Sequence, residues 1–258
     1  GEVDGASLDI SGDADIDGTL ETDALTINGS ALNYKAFGTS SIMLGDNATG
    51  TIDAADNNTG VGVDVFAALT SGDNNVAVGK SALTANSTGA SNTAVGATSL
   101  DANTTGSHNV AVGNTTLGAN TTGQSNTAVG AEALDAATTG DYNTAVGTSA
   151  LGANTTASNN VAVGRSALLV NTTGTLNVAV GSLALDANVT GSANTAIGYN
   201  AGSAFTADGI TAVGKDALES CTTGINTAVG GNALATVTNS AGNTAVGQDA
   251  LTVSTAAN

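Results

Sequence analysis

A block of about seventeen residues recurs along most of the chain, and this repeat limits the fold more than any other feature. Each strict block opens on Asn/Ile, Thr/Val, Ala, Val/Ile and Gly, with its glycine at Gly79, Gly96, Gly113, Gly130, Gly147, Gly164, Gly181, Gly198, Gly214, Gly230 or Gly247. Stepping back by 17 residues reaches Gly62 and Gly45, which gives thirteen units. A single unit of this length cannot bury its own apolar residues, so a fixed period predicts stacked coils.

The pattern inside one unit predicts how each coil is built. The five opening residues alternate in character, which is typical of a short strand. A leucine follows the glycine by four residues in ten of the eleven strict blocks, and the unit closes on Asn, Thr and Gly, which favour turns. We therefore predict an all-β fold, a parallel β-solenoid or β-roll of about thirteen coils and roughly 60 Å in length. The short segment around the leucine fits either a second strand or a helical turn.

The larger apolar residues of each unit are the natural candidates for the interior. We expect the strand valine and the leucine to share one lumen, and this predicted core comprises Val78, Val95, Leu100, Val112, Leu117, Val129, Leu134, Val146 and Leu151. The first strand position is Asn in nearly every unit, and asparagines in register can form a hydrogen-bonded ladder. The predicted ladder runs through Asn75, Asn92, Asn109, Asn126, Asn143, Asn160, Asn177 and Asn194.

The third strand position is alanine in every strict unit. By strand alternation we expect it to lie on the face opposite the valine, and an invariant small residue requires something packed close to it. That neighbour is either the chain's own coil or another copy of the chain, and the second alternative is favoured because a thin rod gains burial by association. The predicted trimer interface is therefore Ala77, Ala94, Ala111, Ala128, Ala145, Ala162, Ala179, Ala196, Ala212, Ala228 and Ala245.

The "NTAVGxxAL" block resembles the repeats in the heads of trimeric autotransporter adhesins over roughly residues 41–251. Those heads are left-handed parallel β-rolls assembled as trimers, so the resemblance implies a homotrimer. The adhesin repeat is shorter, and the chain shows no coiled-coil stalk or membrane-anchor barrel. Seventeen-residue "NTAVGxxALxxNTTG" repeats also resemble segments of large surface proteins and of bacteriophage tail and neck fibres.

Residues 1–40 differ from the repeats at 41–258, and we predict a separate β-rich module there. The stretch "LDISGDADIDGTLETDALTING" alternates apolar and polar residues between glycines and resembles shaft modules of phage tail fibres, often near the attachment end. Asp13, Asp15 and Asp17 followed by Gly18 match the first half of a calcium loop. The loop's final position falls on Ala24 instead of glutamate, so the simpler interpretation is outward aspartates on a strand.

Charge and composition exclude several functions. Four basic residues against 22 acidic ones give a net charge of −18, which opposes nucleic-acid binding. No apolar run is long enough to span a membrane, and one Cys allows no disulfide within the chain. His108 is the single histidine, and the carboxylates Glu132 and Asp135 stand at variable positions instead of in one cleft. We therefore predict a protein that is not an enzyme and needs no cofactor.

A second asparagine in the closing turn raises one further alternative, because "NTT" and "NST" match glycosylation acceptors. It occurs at Asn86, Asn103, Asn120, Asn154, Asn171 and Asn188. The repeated turn explains the same motif by itself. The leading functional hypothesis is a trimeric structural fibre of a phage tail or neck appendage, located in the virion, that contributes to host attachment. Its partners would be its own copies, other virion or surface proteins and a host receptor. The alternative is a bacterial surface adhesin head, and a more distant one is an ice-binding solenoid.

Overall fold

A computed structural model describes residues 55–252 in full, together with the backbone of four short strands before them. Contacts divide the chain into two units, Gly1–Asn33 and Tyr34–Asn258. The described part of the first unit is an antiparallel pair, β1 (Leu25–Ile27) and β2 (Ser30–Leu32).

The second unit is built on one sheet in which successive strands are neighbours. It begins with the antiparallel pair β3 (Tyr34–Ala36) and β4 (Ile42–Leu44), and β4 then pairs in parallel with β5. The twelve strands that follow are parallel and three residues long: β5 Thr59–Val61, β6 Val76–Val78, β7 Thr93–Val95, β8 Val110–Val112, β9 Thr127–Val129, β10 Thr144–Val146, β11 Val161–Val163, β12 Val178–Val180, β13 Thr195–Ile197, β14 Thr211–Val213, β15 Thr227–Val229 and β16 Thr244–Val246.

The strand register confirms the parallel β-solenoid that the repeat predicts. Ala94 pairs with Ala111, and Ala111 pairs with Ala128, so each residue type stacks on its own kind in the next coil. Eleven complete coils lie between Gly62 and Gly247, and no helix occurs among the described residues. The predicted coil that starts at Gly45 lies outside the described residues.

The strand alanines lie inside the coil, which contradicts the expectation that they face another copy of the chain. Ten of the predicted interface alanines, Ala77 to Ala228, are fully buried within one chain, and Ala245 in the last strand is 3 % exposed. The interior is narrow at the strand, where each alanine stacks directly on the alanine of the next coil, so the small side chain is required there. The predicted interface set Ala77, Ala94, Ala111, Ala128, Ala145, Ala162, Ala179, Ala196, Ala212, Ala228 and Ala245 therefore forms part of the core.

The strand valines correspondingly face outward, so the valine half of the predicted core is wrong. Val95, Val129 and Val146 are each 36–37 % exposed, and Val78 and Val112 are partly exposed. Alternation in a strand allows one face inside, and the alanine occupies it. The leucine half of the prediction agrees with the structure, since Leu100, Leu117, Leu134 and Leu151 are fully buried.

The segment around each leucine is neither a strand nor a helical turn. Thr98 and Leu100 both adopt left-handed backbone angles, with φ of 52° and 50°. These angles exclude a right-handed helical turn, and the Leu100 N–H donates to the carbonyl oxygen of Thr116 in the next coil at 3.0 Å. A non-glycine residue in this region costs about 1–2 kcal/mol, and burial of the leucine side chain offsets that cost by about 1.5–3 kcal/mol.

Candidate interaction surfaces

Two asparagine ladders run along the interior and hold successive coils together. In the first ladder, the backbone N–H of each asparagine in the predicted set from Asn75 to Asn194 donates to Oδ1 of the asparagine one coil earlier. The Asn92 N–H reaches Asn75 Oδ1 at 2.9 Å, and Asn92 Nδ2 donates to the Gly106 carbonyl oxygen at 2.9 Å. Direct contacts between side-chain amides occur in this ladder at Asn126, Asn143 and Asn243, so most steps join backbone to side chain.

The second ladder lies at the turn asparagines and links side-chain amides directly. Asn103 Nδ2 donates to Asn86 Oδ1 at 2.7 Å, and Asn120 Nδ2 donates to Asn103 Oδ1 at 2.8 Å. These asparagines are fully buried, which removes them as glycosylation acceptors in the folded chain. The sequence alternative of a glycosylated "NTT" motif therefore does not fit the folded coils.

The second ladder is interrupted where its column changes residue type. The position after Asn120 is Ala137 and the position after Asn188 is Phe205, and neither side chain has a donor. Oδ1 of Asn120 and Oδ1 of Asn188 are accordingly buried without a hydrogen bond. These atoms mark the ends of ladder segments, and nothing in their surroundings indicates a ligand.

The outward side of strands β5–β16, which we name the strand face, consists of two side-chain columns. The first column holds Thr in eight strands and Val in four, and the second holds Val in eleven strands and Ile197 in one. Neither column contains a charged residue. Val246 in the terminal strand is 72 % exposed, against 36 % for Val95, because no described coil follows it. Each valine is thus partly covered by its neighbour in the next coil.

An open depression of about 350 Å³ lies on another side of the coils and includes Glu132, Asp135, Gly152 and Leu169. It exists because Gly152 has no side chain in the column that Asp135 and Leu169 occupy in the adjacent coils. Burial raises the pKa of Asp135, and the nearby charges of Glu132 and Asp101 raise it further. Within residues 55–252 no group of three or more His, Cys, Asp or Glu side chains is placed to hold a metal ion.

The other candidate residues are dispersed. His108 is exposed in a turn, and Cys221 is buried at a turn-asparagine position where burial raises the pKa of its thiol. Lys80, Arg165 and Lys215 each follow a strand glycine directly, and Lys215 pairs with Asp216 at 2.7 Å, which raises the pKa of the lysine. The calcium candidate at Asp13, Asp15 and Asp17 lies outside the described residues. Glu132 and Asp135 both line the depression, although their variable positions in the sequence predicted no common cleft, and the other predicted polar candidates in the described coils do not converge on it.

No protein-family model, no curated protein and no solved structure matches this chain. Among the described residues, no helix has the length and apolar character needed to cross a membrane. The parallel register of the strands defines the class of the fold as a parallel β-solenoid.

Proposed function

We propose that the protein is a structural fibre component that acts as a rigid spacer in a phage tail or neck appendage used in host attachment. The observation that supports this proposal is the uniformity of the coils. Eleven successive coils repeat one backbone path with one sheet register, and their interior is filled by alanine, leucine and asparagine columns. A rod of this kind sets a distance, and it gains length in steps of one coil.

Its stiffness follows from the bonding between coils. Each coil is tied to the next by the strand ladder, and most coils also by asparagine side chains and by threonine hydroxyls, for example Thr104 Oγ1 to the Thr121 carbonyl oxygen at 3.0 Å. Bending the rod would stretch several of these columns together. Because each hydrogen bond contributes about 0.5–1.5 kcal/mol, the bonds at a coil junction add up to a substantial resistance.

The alternative that stays open is a bacterial surface adhesin head, for which the same rod would present its sides to a ligand. The "NTAVGxxAL" resemblance supports it as well as the fibre. The ice-binding alternative draws on the threonines of the strand face, but the face carries valine at four of those positions and throughout the second column. Absence of catalysis and of cofactors remains a prediction in all three cases.

An adsorption experiment separates the fibre from the adhesin. Purified chain added to bacteria before infection should reduce adsorption of the phage that encodes it, if the rod belongs to an attachment appendage. Antibodies raised against the chain should then label virions in electron micrographs. Labelling of uninfected bacterial surfaces instead would assign the rod to an adhesin and contradict the fibre proposal.

A further inference from the structure

The strand face concentrates apolar surface that the single chain leaves uncovered. Eight of the fifteen large hydrophobic residues that are exposed among the described residues belong to it, including Val61, Ile197 and Val246. Three further exposed residues each precede the first residue of a strand by two positions, beside the strand face. They are Tyr142, Leu176 and Ile225, and they are 60–65 % exposed. An apolar patch of this size is at the upper end of what soluble monomers expose, and the largest patch on a protein is often functional.

The second column of the face shows that strand propensity alone does not explain its composition. Threonine forms strands about as readily as valine, and the first column accepts both. The second column is valine or isoleucine in all twelve strands although its side chains are partly exposed. An outward position that excludes threonine in every coil indicates that the apolar character itself is needed.

We propose that copies of this chain associate through the strand face, each copy covering the face of another. This inference deepens the proposed fibre function, because it names the surface on which rods would meet. It also replaces the interior alanine column as the contact between copies.

Three properties of the face favour a second copy as its partner. Packed sheets lie about 10 Å apart with interlocking side chains, and two identical faces share the same strand spacing of about 4.8 Å. Twelve strands about 10 Å wide give roughly 550 Å² per chain and roughly 1,100 Å² for a pair, which is just above the roughly 1,000 Å² that a biological interface should bury. The face carries no charge, so two chains with a net charge of −18 each can meet there without placing carboxylates opposite each other.

Sedimentation velocity on the full chain tests the proposal. The wild type should sediment as an assembly of two or more 24.4 kDa chains. The double variant Val95→Lys/Val129→Lys adds two charges to the face, two coils apart, and should raise the dissociation constant at least about tenfold. The matched control Thr105→Lys/Thr139→Lys adds the same charges with the same spacing at exposed turn positions, and it should assemble like the wild type.

Circular dichroism establishes whether each variant is folded. If the lysine variant does not fold, Val95→Thr/Val129→Thr keeps β-branched side chains on the strand and should still weaken association. A monomeric wild type would overturn the proposal, and so would a folded face variant that assembles as the wild type does. Thermal hysteresis from a monomeric wild type would assign the face to ice instead. The rigid rod of the proposed function is tested separately by measuring the spacing between coils. The rod and the association of copies can therefore fail independently of each other.

Discussion

The gap in the second asparagine ladder gives the sharpest prediction about stability, because one substitution should repair it. Ala137 lies between Asn120 and Asn154 in the same column, and it is the smallest residue at this position in the described coils. Asn120 Oδ1 has no donor, and Asn154 Nδ2 bonds to the Ala157 carbonyl oxygen but to no asparagine. Ala137→Asn should bond to both neighbours and to the Gly140 carbonyl oxygen, as Asn103 does with Gly106 at 3.0 Å.

The magnitude follows from the groups involved. An unsatisfied buried acceptor costs about 1–3 kcal/mol, and each added hydrogen bond contributes about 0.5–1.5 kcal/mol. Ordering the new side chain costs on the order of 1 kcal/mol. With three new hydrogen bonds, one of which satisfies the Asn120 acceptor, the net gain should be about 0.5–3.5 kcal/mol, which for a folded unit of this size raises Tm by about 1–14 °C.

Thermal unfolding followed by circular dichroism measures the effect. Ala150→Asn is the matched control, since it also places an asparagine in the interior but between Ala133 and Ala167, where no ladder exists. The control should lower Tm, and so should Asn103→Ala, which removes a ladder member. A folded Ala137→Asn chain with an unchanged or lower Tm would refute the reasoning about the orphan acceptor.

Three further predictions concern the interior, the glycine column and pH. Ala128→Leu should lower the free energy of unfolding by about 1–3 kcal/mol, measured by chemical unfolding, because the larger side chain overfills the coil. If the variant changed only the association of copies, Ala128 would belong to an interface and not to the core. Gly130→Ala should lower Tm sharply, because its φ is +131° and a Cβ would lie 2.7 Å from the Gly147 carbonyl group; wild-type stability would show that the coils can shift apart. Because the pKa of Asp135 is raised in the folded chain, folding binds protons, and stability should rise as the pH falls from neutral toward the carboxyl range. Asp135→Asn should raise Tm at pH 7 and weaken this pH dependence, and a steeper dependence would contradict the sign.

The repeat period was sufficient to predict the stacked parallel strands, because a fixed unit with invariant positions admits few other folds. The buried leucine column followed from the same periodicity. Which strand face points inward was predicted wrongly, since the larger valine was assumed to fill the core. The sequence held the correct signal: the ladder asparagine and the alanine are two residues apart, so alternation puts them on the same side.

The left-handed backbone at the leucine could not be predicted from the leucine itself, which normally avoids positive φ. The exception in the repeat was the available clue. Gly202 replaces the leucine in one coil with φ of 58°, and glycine is the residue that tolerates this conformation. A Cβ on Gly202 would lie 2.8 Å from Ile210, which stands where most coils have the first-ladder asparagine. The Ile210 side chain therefore fills the space that the missing leucine leaves.

The contacts of the outward-facing residues could not be predicted from the sequence for a different reason. The repeat determines what each interior position needs, because every coil has the same interior. Outward positions such as Glu132 and Gly152 vary from coil to coil, so periodicity carries no information about what they contact. The uncharged strand face is the exception, and its uniformity is visible once the sheet places both of its columns outward.

The most direct test of the coil stack is the distance between spin labels on the variants Thr88→Cys and Thr190→Cys combined in one chain, measured by double electron–electron resonance. Both are exposed turn residues, six coils apart, and Cys221→Ala removes the native thiol. Dilution with unlabelled chain restricts the signal to pairs within one molecule. A stack with strands about 4.8 Å apart predicts about 29 Å, and two inserted copies of residues 126–142 should increase this to about 38 Å. A broad distribution, or a distance that does not grow with inserted coils, would contradict the solenoid rod.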